Sequence, residues 1–296
     1  MALSPKPAEE TAIPVPCKVN LYLQVGRRRP DGYHDLDTFF LPLPEPSDGL
    51  FIRRFDEPGD IDFTCSDPTL ETDDNLVVRA YRCFAERTGY RPRLEVGLKK
   101  RIPHGAGLGG GSSDAAALLR YCNDRAGEAA LSEPELAELA LGLGADVPFF
   151  LLDGPAMARG KGEQLVPQQP GLEGFFVVIV CPRLRIPTAW AYAALDASRT
   201  FPAKPGTELL TSVFEGNRKA FCVTGRPLQN DFEPVVFATH PEIGRVKERL
   251  LAVGAAGALL SGSGSAVFGL FRERQPAVLA LAEFSGNGPS AFLASL

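Results

Sequence analysis

The run Ile102-Pro103-His104-Gly105-Ala106-Gly107-Leu108-Gly109-Gly110-Gly111-Ser112-Ser113-Asp114-Ala115-Ala116-Ala117 constrains this chain more than any other segment. Five glycines in seven positions strip the backbone amides of cover, so a polyanion can approach them closely. Ser112, Ser113 and Asp114 are residue types that cap helices, and the alanines with Leu118-Leu119-Arg120 extend one, which predicts a helix over about 113–122. A glycine-rich loop running into a helix N-terminus is a phosphate cradle: free N–H groups face the ligand and the helix dipole favours negative charge. A flexible loop before an ordinary helix is the plainer reading. The proline in front and the Ser-Ser-Asp behind disfavour it.

At 296 residues, 45% hydrophobic and 23% charged, the chain has the make-up of a soluble globular protein of one large or two medium domains. A net charge of −5 gives no basic field for nucleic acid, so a phosphorylated ligand needs a local site. The six cysteines (17, 65, 83, 122, 181, 222) show no CxxC or zinc-finger spacing and read as reduced, mostly buried thiols, with no metal site implied. Residues 1–11 are polar, and no stretch approaches the roughly 18 apolar residues of a membrane span. The expectation is a cytoplasmic protein without membrane contact. No feature assigns an oligomeric state.

Residues 16–25 alternate Lys18, Asn20, Tyr22 and Gln24 with Val19, Leu21 and Leu23, the period of a strand. Further strands are predicted at 37–43, 51–55, 61–65 and 94–98, with a helix over about 76–88 behind Asp73-Asp74-Asn75. Ser132-Glu133-Pro134-Glu135 opens a helix ending near Gly142, and Gly144-Ala145-Asp146-Val147-Pro148 makes a corner. In the second half, the unbroken apolar run 175–181 predicts a strand buried on both faces. Helices are expected around 188–196, 209–214, 241–253 and 276–284, and strands at 258–260, 266–271 and 290–293. The polar stretch 154–174 is the expected boundary between two α+β domains, 1–160 and 161–296.

A P-loop requires Gly-Lys-Ser/Thr, and Gly111 runs straight into Ser112 without the lysine. Gly105-x-Gly107-x-x-Gly110 fits the letters of a dinucleotide site, yet the chain beyond it is helical where an acid on a strand is needed. Protein-kinase signatures are absent. Pro103 to Ser113 instead resembles the nucleotide loop of the GHMP kinases, which include galactokinase, homoserine kinase and mevalonate kinase. Pro16-Cys17-Lys18-Val19-Asn20-Leu21, Asp31-Gly32-Tyr33-His34-Asp35-Leu36, Gly144-Ala145-Asp146-Val147-Pro148-Phe149-Phe150, Asn230-Asp231-Phe232-Glu233 and Ser261-Gly262-Ser263-Gly264-Ser265 narrow the likeness. Together they resemble the 4-diphosphocytidyl-2-C-methyl-D-erythritol kinase family, in order, from about residue 14 to 271. Cys17 departs from that pattern, which usually carries alanine there, and 44–58 reads as loop variation.

The resemblance implies a GHMP kinase fold, with an N-terminal domain like domain 2 of ribosomal protein S5 and a ferredoxin-like C-terminal domain. It implies ATP as phosphoryl donor, Mg²⁺, and a small-molecule substrate, cytidine diphosphate-linked methylerythritol. Pro103, His104, Gly105, Ala106, Gly107, Leu108, Gly109, Gly110, Gly111, Ser112 and Ser113 would form the nucleotide loop. Asp146 and Lys18 fall on the family's catalytic aspartate and active-site lysine. Read alone, Asp146 is a helix cap before Pro148 and Lys18 a solvated strand lysine. Either Ser112 or Ser113 could hold Mg²⁺ or cap the helix. Tyr33 and His34 match residues that contact cytosine. Thr188 and Tyr192 match the segment carrying the second aromatic wall, though Tyr192 is equally suited to a core. Asn20 would touch the substrate, or else make a strand-edge hydrogen bond. Another GHMP kinase would have no use for the Asp31–His34 segment. A silent nucleotide sensor would have no need of both Lys18 and Asp146.

Overall fold

The computed structural model describes residues 6–199, 222–223, 225–286 and 288–296. The chain opens with strands β1 (Glu9–Arg28), β2 (His34–Pro58) and β3 (Ile61–Cys65). Helix α1 (Leu76–Thr88), strand β4 (Pro92–Lys99) and helices α2 (Gly110–Asn123) and α3 (Glu133–Leu143) come next. Strands β5 (Ala156–Gly160), β6 (Gln164–Pro167) and β7 (Phe176–Cys181) lead to helix α4 (Thr188–Ser198). Then come β8 (Cys222–Val223), β9 (Arg226–Pro227), β10 (Gln229–Asn230), α5 (Glu233–Thr239) and α6 (Pro241–Ala252). The last elements are β11 (Gly257–Leu260), β12 (Val267–Phe271), α7 (Arg274–Phe284) and β13 (Ser290–Ser295). The helix expected at 209–214 lies outside the described residues.

One sheet runs β10-β1-β2-β4-β3, with β5 also on β2 and β6 on β5, so that this sheet extends to Pro167. The other runs β11-β12-β7-β13 and is antiparallel throughout. Helices α1, α2 and α3 cover the first sheet, where Tyr81, Phe84, Leu118 and Leu119 meet Leu50, Ile52, Leu94 and Val96. Burying such side chains contributes about 1.5–3 kcal/mol each. β7 is buried on both faces, as its unbroken apolar run requires. Val177 and Ile179 face Cys17, Val19 and Leu21 of β1, while Val178 and Val180 face the side carrying Ala191, Val236, Ile243 and Ala277. Cys17 is fully buried in that contact, so its thiol sits away from the polar face of β1. Among the described residues, no helix is long and apolar enough to cross a membrane.

Two expectations change. The stretch 44–58, read as loop variation around a short strand at 51–55, belongs to β2, continuous with 37–43. At Pro16/Cys17 the register jumps from Ser47 to Leu43. Pro44, Glu45 and Pro46 therefore bulge out of the ladder, where a proline's missing N–H is harmless. Helix α2 also begins three residues earlier than its cap-type residues predict. Gly109 adopts φ 72° as N-cap and makes no side-chain cap hydrogen bond, which puts Ser112, Ser113 and Asp114 inside the helix. The first-turn amides are thus left uncapped.

Candidate active site

Lys18 and Asn20 of β1, which the alternation would leave in water, are buried, and a register shift between Asn20 and Tyr22 breaks that alternation, turning Tyr22 into the core with Val19 and Leu21. Lys18 is only 3% exposed and Asn20 2%. A buried ammonium requires partners. Lys18 Nζ donates to Asn20 Oδ1 at 2.8 Å, lies 3.3 Å from Asp146 Oδ2 and sits 5.0 Å from the centre of the Phe40 ring. Asn20 Nδ2 donates to Thr38 Oγ1 at 2.8 Å, and Thr38 Oγ1 donates to the Tyr22 carbonyl at 2.6 Å. This chain of bonds fixes the Asn20 amide orientation, and so aims the lysine at Asp146. Asp146 precedes the turn Pro148–Leu151, whose cap is Val147, so the reading of Asp146 as that turn's cap does not hold.

The glycine loop closes on the turn between β11 and β12. The Lys18 N–H donates to the Leu108 carbonyl at 2.9 Å, and the Ala266 N–H to the Ala106 carbonyl at 3.0 Å. Ser261 Oγ donates to the Gly107 carbonyl at 2.9 Å. Asn230 Nδ2 holds the same turn through the Leu260 and Gly262 carbonyls, both at 2.8 Å, and Asn230 Oδ1 accepts from the Phe232 N–H. Asp231 Oδ2 accepts from the Val25 N–H at 2.8 Å, and Glu233 Oε1 from the Leu260 N–H at 3.0 Å. The Asn230–Glu233 segment therefore brackets β1 and the second glycine turn together.

A triad lies below the N-terminus of α2. Lys100 Nζ bonds Asp48 Oδ2 and, at 2.8 Å, Asp114 Oδ2. Asp48 Oδ1 accepts the Arg101 and Ile102 N–H groups, pinning the start of the glycine loop. Asp114 Oδ1 is buried without a hydrogen-bond partner. Burial, only partly offset by Lys100, pushes the Asp114 carboxyl up to about 7. Folding therefore takes up a proton here: the stability it brings is full below about pH 4 and is lost as pH rises through about 7. Asp114→Asn should melt about 3 °C or more above the parent at pH 8, with the gap narrowing as pH falls and closing at about pH 4, measured by thermal denaturation.

Lys18, Asn20, Gly107, Gly109, Asp146, Thr188 and Tyr192 share one cavity of about 160 Å³, with Thr38, Phe40, Phe232 and Ser263 also in its wall. Phe232 and Ser263 belong to two of the family-like segments without having been singled out, whereas Thr38 and Phe40 were missed, because a buried Thr or Phe on a strand carries no motif of its own. Thr188 Oγ1 is 3.1 Å from Ser263 Oγ across the cavity. Tyr192 lines the cavity and packs against two neighbouring rings. One side packs edge-on against Phe232, with ring centres 4.9 Å apart, and the other stacks on His34, also at 4.9 Å and 24° between planes. Burial, with Asp146 adding to it, pushes the Tyr192 phenol up to about 12.

Tyr33 stands outside this cavity, 56% exposed. Lys161 Nζ lies 4.3 Å over its ring and pairs with Asp31 at 3.0 Å. Pro103, His104 and Ala106 line a separate cleft of about 360 Å³, with Arg183 and Arg185. Gly105 is next to the Arg185 side chain, and Leu108 is buried in the core. Gly110, Gly111 and Ser112 form the open first turn of α2, whereas Ser113 is buried. Among the described residues, no three His, Cys, Asp or Glu side chains gather as a metal-ligand set.

Residues 75–154 match the GHMP kinases N terminal domain, and residues 217–290 the GHMP kinases C terminal family. A 4-diphosphocytidyl-2-C-methyl-D-erythritol kinase of Solidesulfovibrio magneticus is 72% identical over 296 residues, covering 100% of both chains. The chain belongs to the 4-diphosphocytidyl-2-C-methyl-D-erythritol kinase family. A family member from Nitratidesulfovibrio vulgaris is 46% identical over 272 residues, 92% of this chain and 94% of that one. A crystal structure of 4-(cytidine 5'-diphospho)-2C-methyl-D-erythritol kinase superposes with TM-score 0.74 at 37% identity, covering 96% of this chain and 98% of that one. The fold is wider than the family. Homoserine kinase from Cytophaga hutchinsonii superposes with TM-score 0.70 at 19% identity, covering 99% and 97% of the two chains. The two sheets and their helices are thus the GHMP kinase fold, and this kinase family member is an ATP-dependent small-molecule kinase.

Proposed function

We propose that this kinase moves the γ-phosphoryl group of ATP onto the 2-hydroxyl of 4-diphosphocytidyl-2-C-methyl-D-erythritol, in the non-mevalonate route to isoprenoid precursors. The observation that carries the reading is the Lys18–Asp146 pair, at 3.3 Å, beside an uncapped helix N-terminus. Phosphoryl transfer asks the protein for in-line positioning and charge neutralisation more than for covalent chemistry. The open amides of Gly110, Gly111 and Ser112 suit the anionic phosphates of ATP. Asp146 holds the acceptor hydroxyl and takes its proton as the bond to phosphorus forms. Lys18 neutralises charge on the phosphoryl oxygens and holds the Asp146 carboxylate in place. Thr188 and Tyr192 line the acceptor side of the cavity.

The donor set also fits Mg²⁺, which prefers oxygen ligands and retains several waters. Ser112 is half-buried near Gly144 and is the residue to hold it, because Ser113 is turned into the core. When bound, Mg²⁺ neutralises phosphate charge. A coupled assay for ADP formation tests the proposal. ADP release should follow the cytidylyl substrate and not homoserine or mevalonate; turnover of homoserine in its place would sink it.

A further inference from the structure

His34 is 7% exposed, and its Nε2 lies 2.9 Å from Asp196 Oδ1. A carboxylate can only accept, so Nε2 carries a proton, and of the two neutral tautomers this contact selects the one with its lone pair on Nδ1. Nδ1 has no partner among the described residues. The ring plane is fixed as well, by stacking on Tyr192, which lines the cavity. Asp196 lies on the last turn of α4, one helical turn beyond Tyr192, so a single helix sets both the plane and the tautomer of His34. It belongs to no segment that identifies the family.

Resting on the function proposed above, we infer that Asp196 is a positioning residue for base selection: it locks His34 as a hydrogen-bond acceptor for the amino group of cytosine. Cytosine offers an N4 amino donor where uracil offers an oxygen acceptor. An acceptor held in place pairs with the first and repels the second, and a site built around such a bond rejects the analogue lacking it. Without Asp196 the ring is free to move its proton to Nδ1, and the two bases become less distinct.

The experiment compares kcat/KM for the cytidine- and uridine-diphosphate-linked methylerythritol substrates. Asp196→Ala should raise KM for the cytidylyl substrate about fivefold and reduce the cytosine preference about tenfold, with KM for ATP unchanged. Asp196→Glu restores an acceptor and should recover most of the preference. Asp196→Asn is isosteric but offers both a donor and an acceptor, and should fall between, which keeps the test open if the alanine variant folds poorly. An unchanged preference in Asp196→Asn and Asp196→Ala overturns the assignment. So does an equal rise in KM for both substrates, which would mean packing alone. A parent enzyme that turns over neither substrate but phosphorylates another alcohol overturns the proposed function, and this assignment with it.

Discussion

Replacing Asp146 by Asn should lower kcat about a thousandfold, with KM for ATP and for the cytidylyl substrate held within about threefold. Asparagine keeps the size and one oxygen of the aspartate, so the cavity wall survives. What it loses is the charge that faces Lys18 at 3.3 Å and the basicity toward the hydroxyl proton. Lys18→Met should also cost turnover, by a different route. Lys18 is 3% exposed, and its removal leaves Asn20 Oδ1 without the donor that engages it. The lysine variant should therefore lose stability and ATP affinity as well as rate. Because the two residues are paired and act in the same transfer step, the double variant should be little slower than the worse single one. Steady-state kinetics on the three variants check this. Near-normal turnover by Asp146→Asn would remove Asp146 from the chemistry. Fully additive losses would separate it from Lys18.

Local rules read well wherever they act on one element at a time. Helix α1 spans Leu76–Thr88 as expected, because Asn75 accepts from the Val77 N–H at its start and Gly89 turns left-handed at its end. Strand β7 reads correctly because a six-residue apolar run needs cover on both sides. The errors arise where distant chain supplies the missing piece. The polar side of β1 has the alternation of a half-exposed strand, yet α4 and the Ser261–Ser265 turn fold over it. Nothing within residues 16–25 announces that cover. Ser112 and Ser113 look like caps by composition, and only the left-handed Gly109 moves the helix start ahead of them. The nearness of Lys18 to Asp146 is legible only through the family resemblance, since spacing alone cannot bring two such distant residues together. Asp196 is invisible in the sequence: an aspartate near a helix end has no signature until His34 is seen beside it.

Among the glycines of the described residues, Gly107 should tolerate alanine worst. Gly107 has φ 80°, and a Cβ there would stand 2.1 Å from the Ser261 carbonyl oxygen and 3.3 Å from the Gly264 nitrogen. Both neighbours are backbone, so no side-chain rotation relieves the clash. The two turns must separate, and with them the Ser261 Oγ bond to the Gly107 carbonyl. Left-handed strain and overpacking together cost about 4 kcal/mol, equivalent to a fall in Tm of about 10 °C. Gly105 isolates the backbone contribution. It has φ 71°, but a Cβ there meets only the flexible Arg185 side chain, at 3.5 Å and beyond. Gly105→Ala should therefore incur only the left-handed strain, about 1–2 kcal/mol. Gly111→Ala, in the helix with 3.7 Å to Leu76, should be neutral or slightly stabilising. Thermal melts with and without ATP measure both halves of the effect. The Gly107 variant should lose most of the rise in Tm that ATP gives the parent, because the loop that cradles phosphate is held in shape by the Ser261 turn. A Gly107→Ala protein that melts with the parent and responds to ATP as fully would show that the two turns are not locked together.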